Sequence, residues 1–277
     1  MTKFKNQSCK AKKLWNYFTT YEKMYFFIFA FATILVSIFV PEETTNGISG
    51  TVLTIVFLFN AILGIMCELL TSKQSKWSFF LYIFVEIIEI AVCIMLAYRF
   101  SSMAVALLFW LPMHIVSFIN WGKHEDKKDK TKTAVKRLKP KHCILLLLGI
   151  AAATFALGYL FAAITPDSDL FSNDAVKVAV CYIDACCGLL SIASGILLYF
   201  RHIENAYLWL AHIVLSSAIM IMTGLWIFLV LQIGYLTNVI YGILCWSKYI
   251  KNQKQEALPQ EHQSQQPQSQ QPQTAQE

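Results

Sequence analysis

Glu86 and Glu89 stand three residues apart in the apolar run 77–98. That spacing puts both carboxyls on one face of a helix. Asp184, His114 and His212 are likewise embedded in apolar runs, and Asn60, Gln232 and Asn238 add neutral polar groups. An ionisable side chain at mid-bilayer costs about 2.5–3.5 kcal/mol on insertion scales, so it faces a bundle interior or a water-filled cavity. The nearby basic residues, Arg99 and Lys177, fall at the ends of their runs, too shallow to neutralise Glu86. An acidic interior without cations implies either protonated carboxyls or a cationic guest. Trp209 and Tyr241 lie deeper than most of the other aromatics and offer faces for stacking on a flat ligand. The candidate binding set is therefore Asn60, Glu86, Glu89, Asp184, Trp209, His212, Asn238 and Tyr241. For His114 and His212 a satisfied structural role competes with a ligand-facing one. Glu68 and Asn205, near the ends of their runs, are read as solvated.

Chemistry of other kinds finds no residues to carry it. There is no H-E-x-x-H, no workable Ser/His pair and no G-x-x-x-x-G-K-[ST] loop, so neither an intramembrane enzyme nor ATP hydrolysis is expected. None of the eight cysteines forms a C-x-x-C pair, and His142-Cys143 stands alone, so no metal or other cofactor is called for. Seven of the cysteines lie in or at the ends of apolar runs, where they read as small buried hydrophobes.

The elements that must position these groups are apolar runs of roughly 20 residues, the length that crosses about 30 Å of hydrocarbon. They fall at 24–40, 48–70, 77–98, 101–121, 143–163, 176–200, 205–222 and 224–247, giving an all-α polytopic membrane protein with eight predicted transmembrane helices. Hydrophobic residues make up 56% of the chain, too many for a soluble domain of this length. Twenty-one of the 23 Lys and Arg residues fall on one side of the pattern: in the N-terminal segment, the 71–76 turn, the 122–142 loop, the 201–204 turn and after 247. Short basic loops stay cytoplasmic, so both termini are expected inside, with the chain multi-pass in the inner cell membrane. The net charge of +6 is accounted for by those loops, and no nucleic-acid partner is implied. The first run follows lysines, but Val40-Pro41-Glu42 offers no small-residue cleavage site, so it reads as a retained helix rather than a signal peptide.

The chain divides into a basic N-terminal segment 1–23, a membrane domain 24–250 and a Gln/Pro-rich tail 251–277 that reads as disordered. Within the membrane domain, 111–123 aligns without gaps on 236–248, with Leu, Ile, Trp and Lys coinciding. At nearly the same offset, Asn60-Ala61 with Gly64 meets Asp184-Ala185 with Gly188. A first repeat of about 48–121 and a second of about 176–247 are thus parallel, with 143–163 as the linker helix. Parallel repeats are a transporter signature, with the substrate site between them near the midplane. Gly64, Gly188 and Gly242 are expected where helices approach closely, and Pro112 kinks span four. Trp77, Trp121 and Trp246, at span ends, are assigned to the interfacial aromatic belt.

Three blocks together resemble a known family. They are Leu111-Pro112-Met113 leading to Trp121-x-Lys123-His124 and Val135-Lys136-Arg137-Leu138; then Asp184-Ala185, Ser191-Ile192, Leu197, Arg201, Glu204 and Trp209; and Tyr235-Leu236-x-Asn238-x-x-Tyr241-Gly242-x-x-x-Trp246. Covering roughly residues 50–250, they are similar to the Pnu-type bacterial vitamin transporters, whose best-known class carries nicotinamide riboside. The resemblance implies a SWEET-like fold, two parallel three-helix bundles joined by a linker helix, here with an extra N-terminal helix. It also implies facilitated diffusion, with a cytoplasmic kinase trapping the substrate afterwards. The chain departs from the family at Ala206, where a tryptophan is usual, and at Glu86, Glu89 and His212, which replace polar asparagines. Nicotinamide riboside is the leading substrate. Thiamine, also a flat cation, competes, followed by riboflavin or a nucleoside. A receptor or scaffold of the same fold, docking through the tail, is the alternative outside transport. Apolar surfaces facing lipid and facing a second subunit read alike, so a homo-oligomer is compatible with the sequence.

Overall fold

The computed structural model describes residues 16–39, 47–96, 103, 105–164, 173–222 and 226–263. Glu42, Glu43, Arg99, Asp167 and Asp169 lie outside the described residues, as do the lysines before residue 16 and the tail beyond 263. Eight long helices follow one another: α1 Thr20–Phe39, α2 Gly50–Ser72, α3 Trp77–Leu96, α4 Ala106–Gly122, α5 Pro140–Ile164, α6 Asp174–Tyr199, α7 Glu204–Met222 and α8 Trp226–Gln263. Five of them, α1, α2, α5, α6 and α7, are long and apolar enough by composition to cross a membrane. At 20 residues α3 is about 30 Å long, also a bilayer's hydrocarbon width.

Local chemistry sets the helix ends. Thr19 and Glu22 form a reciprocal capping box at the start of α1: the Thr19 amide donates to Glu22 (2.7 Å) and the Glu22 amide to Thr19 (3.3 Å). The Asn173 side chain caps α6 by accepting from the Val176 amide at 2.9 Å. α5 opens on Pro140, whose missing N–H costs nothing at a first helical position. α4 begins as a π-turn over Ala106–Trp110 and continues as α-helix from Leu111. Pro112 supplies no amide and its ring crowds the carbonyl four residues back, so a wide turn just before it relieves both problems. α8 does not stop where the tail was expected to begin at 251: it runs on to Gln263. Lys, Gln, Glu and Ala in 251–257 are good helix formers, and extending an anchored helix needs no new nucleus.

Consecutive helices pack together within α2–α3–α4 and within α6–α7–α8, while α5 lies on α6 and α1 on α2. The two groups meet through α4 against α6 and α2 against α8. α6 and α2 end alike. The Gln74 amide donates to Thr71 and the Ser75 amide to Leu70. The Arg201 amide donates to Leu198 and the His202 amide to Leu197. Gln74 and Arg201 both take a left-handed conformation (φ 61° and 62°), the geometry of a Schellman cap usually left to glycine. The segment 123–139 joining α4 to α5 crosses both caps as a strap. Its Thr133 amide donates to the Gln74 carbonyl (2.9 Å) and its Lys136 amide to the Arg201 carbonyl (3.0 Å).

Beneath the strap lies the best-packed apolar cluster at this end: Phe79, Trp121, Val135, Ile203, Trp246 and Ile250. Trp121 and Trp246 are therefore core residues, 0% and 3% exposed, not interfacial anchors. Each indole has a buried carbonyl to reach. Trp121 Nε1 donates to Leu198 at the end of α6 (3.0 Å), and Trp246 Nε1 to Thr71 and Ser72 at the end of α2 (3.2 Å each). Trp77, at 54% exposed, keeps the position expected of a belt residue. Of the glycines singled out for close packing, Gly242 lies against Ser72 as expected, whereas Gly64 and Gly188 face open space. The tight approaches occur instead at Gly158 on Tyr182, Gly195 on Trp110 and Gly234 on Phe29.

Candidate functional site

A cavity of about 300 Å³ lies between the two groups of helices. α2 contributes Glu68 and Thr71, α3 Tyr82 and Glu86, and α4 Trp110 and His114. α6 lines it with Ser191, Ser194, Gly195 and Leu198, and α7 with Asn205 and Trp209. The volume is at the small end of the range for pockets that enclose a small molecule, about 300–1,000 Å³. Two carboxyls line it, and among the described residues no Lys or Arg does.

His114 anchors one wall. Its ring is nearly parallel to Tyr82 (centroids 4.7 Å apart, 9°) and to Trp110 (5.7 Å, 19°). Its Nε2 lies 3.4 Å from Glu86 Oε1, while its buried Nδ1 has no hydrogen-bond partner among the described residues. The π-turn ahead of Pro112 sets the register in which Trp110 and His114, four residues apart, both reach the cavity. Gly195 gives Trp110 its room: a Cβ there would sit 2.9 Å from the indole.

Glu68 anchors the opposite wall. The Tyr82 hydroxyl donates to its Oε1 at 2.7 Å, and the Asn238 amide approaches its Oε2 at 3.5 Å. Asn238, 1% exposed, accepts in turn from Ser72 Oγ at 3.3 Å. Glu68, Thr71, Asn205 and Trp209 also border a smaller cavity of about 40 Å³ toward the strap end, with Asn238 and Trp246. Trp209 stacks flat on His212 (4.6 Å, 2°), and its buried Nε1 lacks a hydrogen-bond partner among the described residues. That leaves an indole face and an N–H donor at the rim of both cavities.

Of the expected set, Glu86 and Trp209 line the main cavity, Asn238 the smaller one, and His212 supports Trp209 from behind. Glu89, one turn beyond Glu86, does not line either. Asn60 lies elsewhere with its Oδ1 buried, and Asp184 is exposed on α6 away from both cavities. Tyr241 has a different task. Its hydroxyl donates to Glu22 at 2.7 Å and its ring packs on Tyr21. Glu22 also pairs with Lys73 at 2.9 Å, so the tyrosine fastens α1 to the bundle rather than facing a ligand. Four lining residues stand outside the expected set: Glu68 and Asn205, read as solvated, Trp110, and His114, for which a structural role competed with a ligand-facing one. Glu68 carried a legible signal, since it lies inside the apolar run 48–70 and four residues before the end of α2, where an ionisable side chain is already costly to leave in lipid.

Comparison with known proteins agrees with this architecture. A curated relative, the nicotinamide riboside transporter PnuC of Neisseria mucosa, is 23% identical over 252 residues, covering 87% of this chain and 86% of the relative. The crystal structure of the vitamin B3 transporter PnuC superposes with a TM-score of 0.62 at 18% identity, covering 85% of this chain and 94% of that one. The fold is thus the one found in that transporter, and the Pnu-type resemblance read from the sequence is borne out. With residues 54–248 matching the profile of the nicotinamide mononucleotide transporter family, the chain belongs to that family.

Proposed function

We propose that this protein carries nicotinamide riboside across the cell membrane by facilitated diffusion through the cavity between α2–α4 and α6–α8. The observation that carries the reading is the charge of that cavity: Glu68 and Glu86 line it together with Tyr82, Trp110 and Trp209, and among the described residues neither Lys nor Arg does. A pyridinium ring suits such a site, since carboxylates balance its charge and indole faces stack on it. The same lining argues against a phosphorylated nucleotide. A phosphate taken from water into this cavity would meet two carboxyls and no cation to replace its hydration. The riboside, not the mononucleotide, is the form that fits. The protein makes and breaks no bond in this scheme; a cytoplasmic kinase that phosphorylates the product keeps the gradient inward.

The matched caps of α2 and α6 and the reciprocal tryptophans support reading α2–α4 and α6–α8 as two parallel, SWEET-like repeats with α5 as linker and α1 as an addition. The strap carries much of the positive charge, which supports reading it and both termini as cytoplasmic. In that orientation the inner end is sealed by Val135, Trp121 and Trp246, and opening it requires the strap to part from at least one cap.

Binding of nicotinamide riboside, its mononucleotide, thiamine and riboflavin to the purified protein, followed by tryptophan fluorescence and calorimetry, tests the reading. The riboside is expected to bind at least about ten-fold more tightly than the mononucleotide, a difference of about 1.4 kcal/mol. Equal or tighter binding of the mononucleotide would overturn the charge argument. Binding of thiamine alone would keep the cation site and replace the substrate.

A further inference from the structure

A second cavity, of about 490 Å³, lies apart from the transport cavity, where the α2–α3 turn, the strap and the residues before α1 come together. Its lining divides by polarity. Met66, Leu70, Leu81, Phe18 and Trp77 are apolar, whereas Lys76, Lys130 and Lys132 bring three ammonium groups against one carboxyl, Glu125. Glu125 is already held by Lys76 at 2.5 Å, and Lys132 pairs with Asp129 at 3.1 Å. Lys130 is exposed and has no ion pair among the described residues. The level of the cavity in the bundle is informative: Leu70 is near the end of α2 and Trp77 starts α3, the height at which helices leave hydrocarbon and exposed tryptophans gather.

We propose that this cavity seats one anionic glycerophospholipid, an acyl chain lying against Leu70, Leu81 and Trp77 and the headgroup phosphate held by Lys130 with Lys76. Basic pockets between helices at the membrane surface recognise anionic headgroups through this combination of apolar wall and ammonium rim. A zwitterionic lipid would add its own ammonium to three lysines, and a free phosphate would leave five apolar side chains without a partner. Thr133 ties the lipid to the transport end of the molecule. It lines this cavity, its amide holds the α2 cap, and its hydroxyl donates to the Trp121 carbonyl at 3.3 Å. A bound lipid therefore packs against the strap that seals the inner end.

The test is native mass spectrometry of the full-length protein released from nanodiscs made of equal parts phosphatidylglycerol and phosphatidylcholine. Phosphatidylglycerol is expected to be retained about ten-fold over phosphatidylcholine. Lys130→Glu is expected to cut that preference about five-fold or more, since each lysine near a membrane surface contributes on that order, and Leu81→Trp to reduce retention of both lipids by filling the apolar part. Unchanged thermal midpoints establish that both variants fold, and Lys130→Ala, with a smaller loss of preference, replaces the reversal if it does not. Equal retention of the two lipids, a preference unchanged by Lys130→Glu or Lys130→Ala, or displacement of phosphatidylglycerol by excess inorganic phosphate would each overturn the proposal.

Discussion

Replacing Glu68 by Gln isolates the role of charge in the transport cavity. The substitution keeps the shape of the side chain, and the amide oxygen still accepts from Tyr82, now at 2.7 Å from Oε1, so the wall survives while the negative charge leaves. A cavity of about 300 Å³ is about 8 Å across if treated as a sphere, which puts a ring at its centre roughly 4–5 Å from a lining oxygen. Unit charges at that distance interact by roughly 2–4 kcal/mol for an effective dielectric constant of about 20–40. Water entering the mutant site and the remaining Glu86 return part of that, so the expected loss is at least about ten-fold in Kd. The assay is equilibrium binding of nicotinamide riboside beside its reduced, uncharged dihydro form, which has nearly the same ring and sugar. Only the cation is expected to lose affinity. Glu86→Gln is expected to behave similarly, and Asp184→Asn, exposed and away from the cavity, to change Kd less than about two-fold, the scale of a surface substitution. An equal loss for both ring forms, or no loss for Glu68→Gln, would refute the electrostatic account.

Three further outcomes follow from other parts of the molecule. Trp246→Phe removes the donor shared by the Thr71 and Ser72 carbonyls and is expected to cost about 1–3 kcal/mol, read as a lower thermal midpoint. Adding Trp121→Phe should give a non-additive loss, because the two rings lie 5.8 Å apart. Gly195→Ala forces Trp110 aside and is expected to weaken substrate binding by about 1–3 kcal/mol while the protein still folds, a binding isotherm and a melting curve separating the two. Burial, and then Lys136, hold the His202 imidazole below its ordinary range. The folded protein thus favours the neutral ring, so the stability it contributes is present above about pH 6.5 and is lost as pH falls below it. Protection of the Lys136 and Ile203 amides against hydrogen exchange, taken relative to their intrinsic rates at each pH, should fall on acidification, and His202→Gln should remove that dependence.

The helices were legible because a span is written as a length of apolar sequence. The observed starts lie close to the expected ones: Thr20 against 24, Trp77 at 77, and Glu204 against 205. Rotation about each helix axis was not legible. A helix in lipid is apolar on the side facing the bundle and on the side facing the membrane, so periodicity does not say where Asp184 or Glu68 points. The two exchanged roles for that reason: Glu68 took the cavity with Tyr82, and Asp184 stayed outside it. Trp121 and Trp246 were misplaced by a related ambiguity. An indole at a span end suits the interface equally well as a buried carbonyl one helix away, and the carbonyls at the ends of α2 and α6 belong to residues more than 70 positions distant. Tyr241 read as a ligand face because nothing in its own helix announces Glu22, whose capping box with Thr19 is local and whose bond to Tyr241 is not.

The exchange of indoles between the halves has a consequence for how the protein is made. The end of α2 is synthesised early, yet the Thr71 and Ser72 carbonyls wait for Trp246, near the close of the last span. Until the ribosome has delivered it, the Thr71 carbonyl keeps its cap bond from the Gln74 amide while Ser72 lacks its indole donor. A nascent chain cut short before that residue keeps the end of α2 without its indole donor permanently.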